Sequence, residues 1–313
     1  MPEPIKWKSK IVLAKMETVY GTDPVPTGAA NAMLMTDLEL RPMEGDTISR
    51  NLEQPYLGGQ ASLQTGIHVV LTGSVELQGS GTLGTPPGWG PLLRMCAVAE
   101  VITAATKVEY SPVTDAHESG ALYFHIGPTR HIITGARGTA VLTANAQGIP
   151  TLRFTLTGLF TTPLDQAAPT IDVSLFKKPD VVSNANTPLF TIGGAAFVYR
   201  NFSFDLGNDV QRRFLVGVER IVIVDRAERI GVSVEAVPIA TYNPYTIANA
   251  GTLQAIALTH GTVAGKRVKL AAAQAEQQRI AGFENNQNVL EWPLAFAPLP
   301  TSAGNNQWKI TLD

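Results

Sequence analysis

The sequence predicts a mainly β chain made of two tandem sandwich-like or barrel-like domains, each carrying one short α-helix. Three observations lead there. Several segments alternate apolar and polar residues at period two, the spacing of a half-buried strand. The triad Ser74-Val75-Glu76 returns half a chain later as Ser233-Val234-Glu235. Each copy sits in an alternating strand and is followed by a proline-containing loop, a proline-opened helix signal and further strand, the mark of a repeated unit. Finally, 313 residues suffice for two domains of about 150 residues, each with its own core. The expected division is a first domain over 1–165, a linker over 166–190 and a second domain over 191–313.

Composition narrows the function. Charged residues make up 16% of the chain, against about 25% in ordinary soluble domains. Thr, Ser, Asn and Gln fill the polar positions instead. The net charge of −2 gives no basic footprint for tight nucleic-acid binding. Cys96 is the only cysteine, so no disulfide forms within the chain, and its apolar neighbourhood predicts a buried, inert thiol. No apolar run reaches the ~20 residues of a membrane span. The opening residues Met-Pro-Glu-Pro-Ile-Lys-Trp-Lys lack the apolar core of a secretory signal, so folding in a cytoplasm without a membrane anchor is expected.

Taken in order, Lys10–Met16 reads as a strand and 20–30, rich in Gly, Pro, Thr and Asp, as an arm. Leu34, Leu38 and Leu40 mark a second strand. The polar stretch Glu44–Gly66 exceeds ordinary loop lengths. Its Ile48, Leu52, Tyr56 and Leu57 would be wasted on a solvated linker, so an interface loop is expected. Residues 67–78 form the clearest strand: Val69, Leu71, Val75 and Leu77 share one face, and His68, Thr72, Ser74, Glu76 and Gln78 the other. Pro91 opens a helix where its missing N–H costs nothing. Strands follow near 108–110, 121–126, 131–133, 140–144 and 152–159. Residues 161–186, with Pro163, Pro169 and Pro179, read as the linker region.

The second half follows the same plan. Phe202, Phe204 and Leu206 alternate with Asn201, Ser203 and Asp205. Gly207–Gly217 reads as a shorter version of the long loop. Residues 218–225 and 230–237 read as strands. Asn243 and Pro244 form an N-cap and N1 pair, and Gly251 stops the helix. Strands near 253–258, 268–272, 289–296 and 308–312 complete the chain.

The chemical motifs are weak. Gly79-Ser80-Gly81-Thr82-Leu83-Gly84 spells a dinucleotide fingerprint, but Pro86 and Pro87 stand where its helix should start and no βαβ alternation surrounds it. Gly261–Lys266 resembles a phosphate loop, but one residue is missing between the glycines, and Arg267 occupies the hydroxyl position. His125 and His131 flank a turn, yet no further Cys or carboxylate pair completes a metal set. No Gly-x-Ser-x-Gly elbow is present. These readings predict a non-enzymatic chain with no cofactor and no metal. The rival readings are a different structural role, as a minor component of a larger assembly, and a receptor-binding β-sandwich. Aromatic residues, at 7% and scattered, argue against the second.

Several stretches together resemble one family. Residues 10–24, KIVLAKMETVYGTDP, look like the opening of tail tube proteins from long, non-contractile bacteriophage tails. Residues 81–94, GTLGTPPGWGPLLR, together with 134–139, 149–152 and 184–188, fit the same family in the same order. The resemblance implies subunits that close into rings, with sheets joined into an inner barrel and rings stacked into a tube that guides DNA into the host. Single-domain members form six-fold rings, so a duplicated chain implies three copies and six domains per ring. It implies a virion location, assembly in the bacterial cytoplasm, a tape measure protein in the lumen during assembly, and tail terminator and distal tail proteins at the ends. A weakly charged, hydroxyl-rich wall suits DNA in passage, whereas a Lys/Arg lining would hold phosphates. On this resemblance Asp46, Arg50, Glu53, Tyr56, Arg212 and Arg213 are the expected contacts between subunits or rings. The polar strand face with Thr72, Ser74, Glu76, Ser233 and Glu235 is expected to face the lumen.

Overall fold

The computed structural model describes residues 3–313; the first two residues of the expected 1–165 span lie outside it. The first half contains β1 (Lys10–Met16), α1 (Gly28–Asn31), β2 (Ala32–Met33), β3 (Thr36–Ser49), β4 (Ser62–Glu76) and α2 (Gly90–Arg94). It continues with β5 (Val98–Thr103), β6 (Lys107–Pro112), β7 (Gly120–Ile126), β8 (Thr129–Thr143), β9 (Thr151–Leu159) and β10 (Leu164–Asp165). The second half contains β11 (Leu189–Ile192), β12 (Ala195–Ala196), β13 (Tyr199–Asp205), β14 (Asn208–Leu215), β15 (Val218–Arg226) and β16 (Arg229–Glu235). After these come α3 (Pro244–Ala250), β17 (Leu253–His260), β18 (Val268–Gln277), β19 (Glu284–Asn286), β20 (Val289–Pro298) and β21 (Lys309–Leu312).

The chain is mainly β and every strand pairing is antiparallel. In the first half the strands lie in the order β3-β4-β9-β8-β7-β1, and β10 adds to the start of β8. In the second half the order is β13-β16-β20-β18-β17-β11, and β21 adds to the start of β18. The two lists match strand for strand. β4 and β16, which carry the two Ser-Val-Glu triads, occupy the same place, and α2 and α3 follow them. In the first half β8 closes a sandwich by running through both layers. Its first residues pair with β7 and its later ones with β9, with register breaks between Gly120 and Leu122 and between Thr134 and Arg137. Such breaks let one strand turn the corner between packed sheets.

The two halves are laced together. Residues 141–143 of β8 pair with β13, and β6 pairs with β21. One continuous cluster of buried side chains runs from Val12 and Trp89 through Phe154 and Phe204 to Trp308 and Leu312. Phe204 stacks edge-on against Trp308 at 5.2 Å, and the Trp308 indole N–H donates to Glu228 at 3.2 Å. The two glycine motifs meet at this seam: the Gly81 N–H donates to the Gly265 carbonyl at 3.0 Å. A Cβ on Gly79 would lie 2.2 Å from that same carbonyl, and one on Gly265 2.8 Å from the Gly81 backbone. Close backbone approach explains these glycines without any phosphate.

Local signals act as the sequence dictates. The Asn243 side chain accepts from the Thr246 N–H at 3.1 Å, Pro244 opens α3, and Gly251 closes it at φ 61°. α2 ends at Arg94: Met95 keeps helical angles and its N–H donates to the Pro91 carbonyl at 3.2 Å, and Ala97 then turns the chain at φ 57°. α1 adds a third short helix, in the N-terminal arm.

Two segments differ from expectation. The stretch 44–66 is not one loop: β3 and β4 run on as a hairpin, with Ser49 opposite Ser62, and only 50–61 lacks regular structure. Gly207–Gly217 likewise lies mostly in strand, as the β14–β15 hairpin. Residues 161–186 do not hang free. Val182 is buried, a Cβ on Gly28 would meet the Thr170 carbonyl at 2.1 Å, and Phe176 lies against Gly88.

Four histidines, His117, His125, His131 and His260, have pKa values held below the ordinary 6.5, chiefly by burial. His260 is bonded to Thr187 Oγ1 at 3.0 Å and to the Asp180 carbonyl at 3.1 Å, so it ties residues 180–187 to β17. These rings are neutral in the fold and protonate more readily in the unfolded chain. The unfolded state therefore binds more protons as pH falls through 6.5, and the stability present above that pH is lost below it. Denaturant midpoints measured between pH 7.5 and 5 are expected to fall, and His260→Gln to flatten part of the slope. A midpoint that stays level in wild type would contradict this.

Candidate assembly surfaces

The repeated architecture presents two long hairpins whose ends leave the packed layers, while Ile221 and Ile223 keep part of the second buried against the first half. In β3 the residues from Thr36 to Ser49 are mostly exposed. Beyond Arg41 the hairpin is held by cross-strand pairs, such as Thr47 Oγ1 donating to Gln64 at 3.1 Å. The backbone N–H of Leu52 donates to the Gln60 side chain at 2.6 Å, which closes the base of the tip. The tip carries Leu52, Tyr56 and Leu57, with Leu57 fully exposed. In the second half, β13 ends opposite β16 with Asp205 beside Arg229, and the chain continues directly into β14 and β15. This hairpin ends on Val216, again fully exposed, next to Gly217 at φ 93°. Apolar residues at the ends of well-paired hairpins are placed to meet something other than water.

The end of the second hairpin meets the middle of the first. Arg212 approaches the His68 ring, with Nη1 3.1 Å from Nδ1. Asp46, Thr65 and Gly66 of one hairpin and Arg212, Phe214, Leu215, Val216 and Glu219 of the other line a shared groove. Of the six expected contact residues, Asp46 and Arg212 thus come together. Arg50, Glu53 and Tyr56 cluster on the tip 50–61, and Arg213 lies opposite Arg220 away from the groove lining. Phe214 and Val216 were not singled out from sequence, because Phe214, Leu215 and Val216 run consecutively and carry no period-two signal.

The polar face of the triad strands is divided. Thr72 and Glu76 are half-buried and Glu235 is exposed, but Ser74 and Ser233 are buried within the single chain. Ser233 Oγ donates to Glu284 at 3.0 Å, and Glu284 receives Arg200 at 2.6 Å. Ser74 lies opposite Thr36 and Arg153 on its two neighbouring strands.

Cys96 is buried, and desolvation pushes its thiol far above the ordinary range, which leaves it protonated and inert. His125 and His131 are not opposite each other: Phe124 faces His131 and His125 faces Arg130. Among the described residues no group of three or more His, Cys, Asp or Glu side chains converges as a metal site. No helix among them is long and apolar enough to cross a membrane. Tyr110 donates to Glu100 at 2.6 Å, and the pair packs beside Gly90 at the start of α2.

Comparison with curated proteins finds no match. Comparison with protein-family models matches residues 7–299 to the phage tail tube proteins, a span that takes in both halves and both hairpins. A mainly β chain with exposed apolar residues at its hairpin ends accords with that match. The chain belongs to the phage tail tube protein family.

Proposed function

We propose that three copies of this chain close into a ring of six equivalent units, and that the rings stack into a tail tube through which DNA leaves for the host. The observation that carries the reading is the recurrence of one seven-strand order in both halves, each half with its own projecting hairpin. A chain that holds two successive ring positions needs three copies to make six. The division into units over 1–165 and 191–313 joined by 166–190 belongs to this proposal.

The hairpin ends serve stacking, with Tyr56, Leu57 and Val216 as anchors and Asp46, Arg50, Glu53, Arg212 and Arg213 as polar contacts. Thr72, Glu76 and Glu235 face the bore, and Ser74 and Ser233 lie beneath them. A net charge of −2 suits a wall along which DNA slides. The tape measure protein occupies the lumen during assembly in the host cytoplasm, and terminator and distal tail proteins close the two ends. Electron microscopy of the purified full chain at high concentration tests this. Rings or tubes with three-fold symmetry are expected; a species that stays monomeric, or rings of six chains, would overturn it.

A further inference from the structure

Among the strand edges left unpartnered in the described residues, two are related by the repeat to a junction that the chain already makes with itself. Inside the chain, β8 of the first half pairs with β13 of the second: Val141 with Asp205, Leu142 with Phe204, Thr143 with Ser203. The ladder extends on both sides. The N–H of Ala144 donates to the Phe202 carbonyl at 2.9 Å, that of Ala146 to Arg200 at 2.8 Å, and that of Leu206 to Ala140 at 3.0 Å.

Each side of this junction has a counterpart elsewhere. β13 occupies the place of β3. Phe204 faces Ile230 on β16 as Leu40 faces Leu71 on β4, and Ser203 faces Gly231 as Glu39 faces Thr72. β3 pairs with β4 alone and has no strand on its other side. The end of β8 occupies the place of β19 and the residues before it. Thr143 faces Thr151 on β9 as Glu284 faces Glu291 on β20, and Thr151 and Glu291 face the two triad glutamates. Counting back from there, Leu142 corresponds to Phe283. Leu142 is 2% exposed, packed in the core beside Phe204 of β13, whereas Phe283 is 62% exposed. β19 pairs with β20 alone.

We infer that the segment Gly282–Glu284 of one copy pairs antiparallel with Glu39–Arg41 of the next. Phe283 lies opposite Leu40, Glu284 opposite Glu39 and Gly282 opposite Arg41, in the register of the internal junction. The surface fits a second copy of this chain because the internal junction is itself a worked example of the same two edges meeting. The two sides are different patches, so the contact is head-to-tail and closes a ring rather than a dimer. It also consumes two strand edges that would otherwise invite uncontrolled pairing. The carboxylates set opposite each other are already paired within their own chains, Glu39 with Arg41 at 3.0 Å and Glu284 with Arg200 at 2.6 Å. The inference rests on the ring reading above and adds which edges meet.

Directly opposed residues in an antiparallel pair have Cα atoms about 4.5–5.5 Å apart, within disulfide range. A full chain carrying both Leu40→Cys and Phe283→Cys, oxidised under native conditions, is expected to give covalent dimers and trimers. Each single substitution should give none, and the native Cys96 is buried and does not compete. A second variant, Phe283→Asp, changes an exposed side chain and should leave the monomer folded but without rings in the microscope. If wild type forms rings while the double variant gives no cross-linked species and Phe283→Asp still closes rings, the edge pairing is wrong and the ring reading stands. If wild type forms neither rings nor tubes, both are overturned.

Discussion

Removing residues 50–61 and bridging Ser49 to Ser62 with an Asn-Gly turn is expected to leave a folded protein that forms rings but no tubes. All the removed residues are exposed, and the segment's hydrogen bonds close on themselves, as between Leu52 and Gln60. No core residue is touched, so the unfolding midpoint should move by no more than about 0.5 kcal/mol. A two-residue Asn-Gly turn fits the twist of the flanking strands. Stacking, by contrast, loses Leu52, Tyr56 and Leu57, the largest apolar side chains on the tip. Electron microscopy and sedimentation read the result directly. Tubes of ordinary length after this deletion would remove the tip from the stacking surface.

Phe204→Ala is expected to cost about 3–5 kcal/mol, the range for truncating a fully buried aromatic. Phe204 is 1% exposed, faces Ile230 and Leu142 on its two neighbouring strands, and packs on Trp308. Because it stands where the halves share a ladder and a core, the loss should be felt across the whole chain. One cooperative transition is expected to shift in denaturant melts followed by both far-ultraviolet circular dichroism and tryptophan fluorescence. Early melting confined to 191–313, with 1–165 unaffected in hydrogen exchange, would show that the common core does not bind the halves into one cooperative unit.

Strands that bury one face were legible because burial imposes period two. β1 was placed residue for residue, and 67–78 showed the alternation of β4 at its packed end. The outer parts of β3 and β4 were not legible. Both faces of that hairpin meet water, so Asp46, Thr47, Gln64 and Thr65 leave no alternation to read. The same holds for β14, where Gln211, Arg212 and Arg213 run consecutively and exposed, whereas β15 was legible as 218–225 because Ile221 and Ile223 are buried on one face. The seam between the halves was equally silent. Gly79 and Gly265 looked like fragments of phosphate motifs, and only their meeting in space explains why a side chain fails there. The repeat was visible as three identical residues, but its evidence lies in strand order, which sequence identity does not carry. Of the candidate contacts, Asp46 and Arg212 were named separately; their shared groove depends on a crossing of hairpins that no local pattern encodes.

If three copies close the ring as proposed above, the junction between β8 and β13 shapes how that ring begins. Separate subunits must collide six times over, and each capture gives up translational and rotational freedom. Here every second contact is tethered, so the partner edge is present at a fixed, high effective concentration before any encounter. Ring closure then involves three bodies, and its concentration dependence is correspondingly shallower. The tether also frees the two halves from being copies: hairpin ends as different as Leu57 and Val216 alternate around the rim in a fixed order. Successive rings can meet only at rotations that bring unlike tips into matching places, so duplication gives the tube a torsional key that six identical subunits would lack.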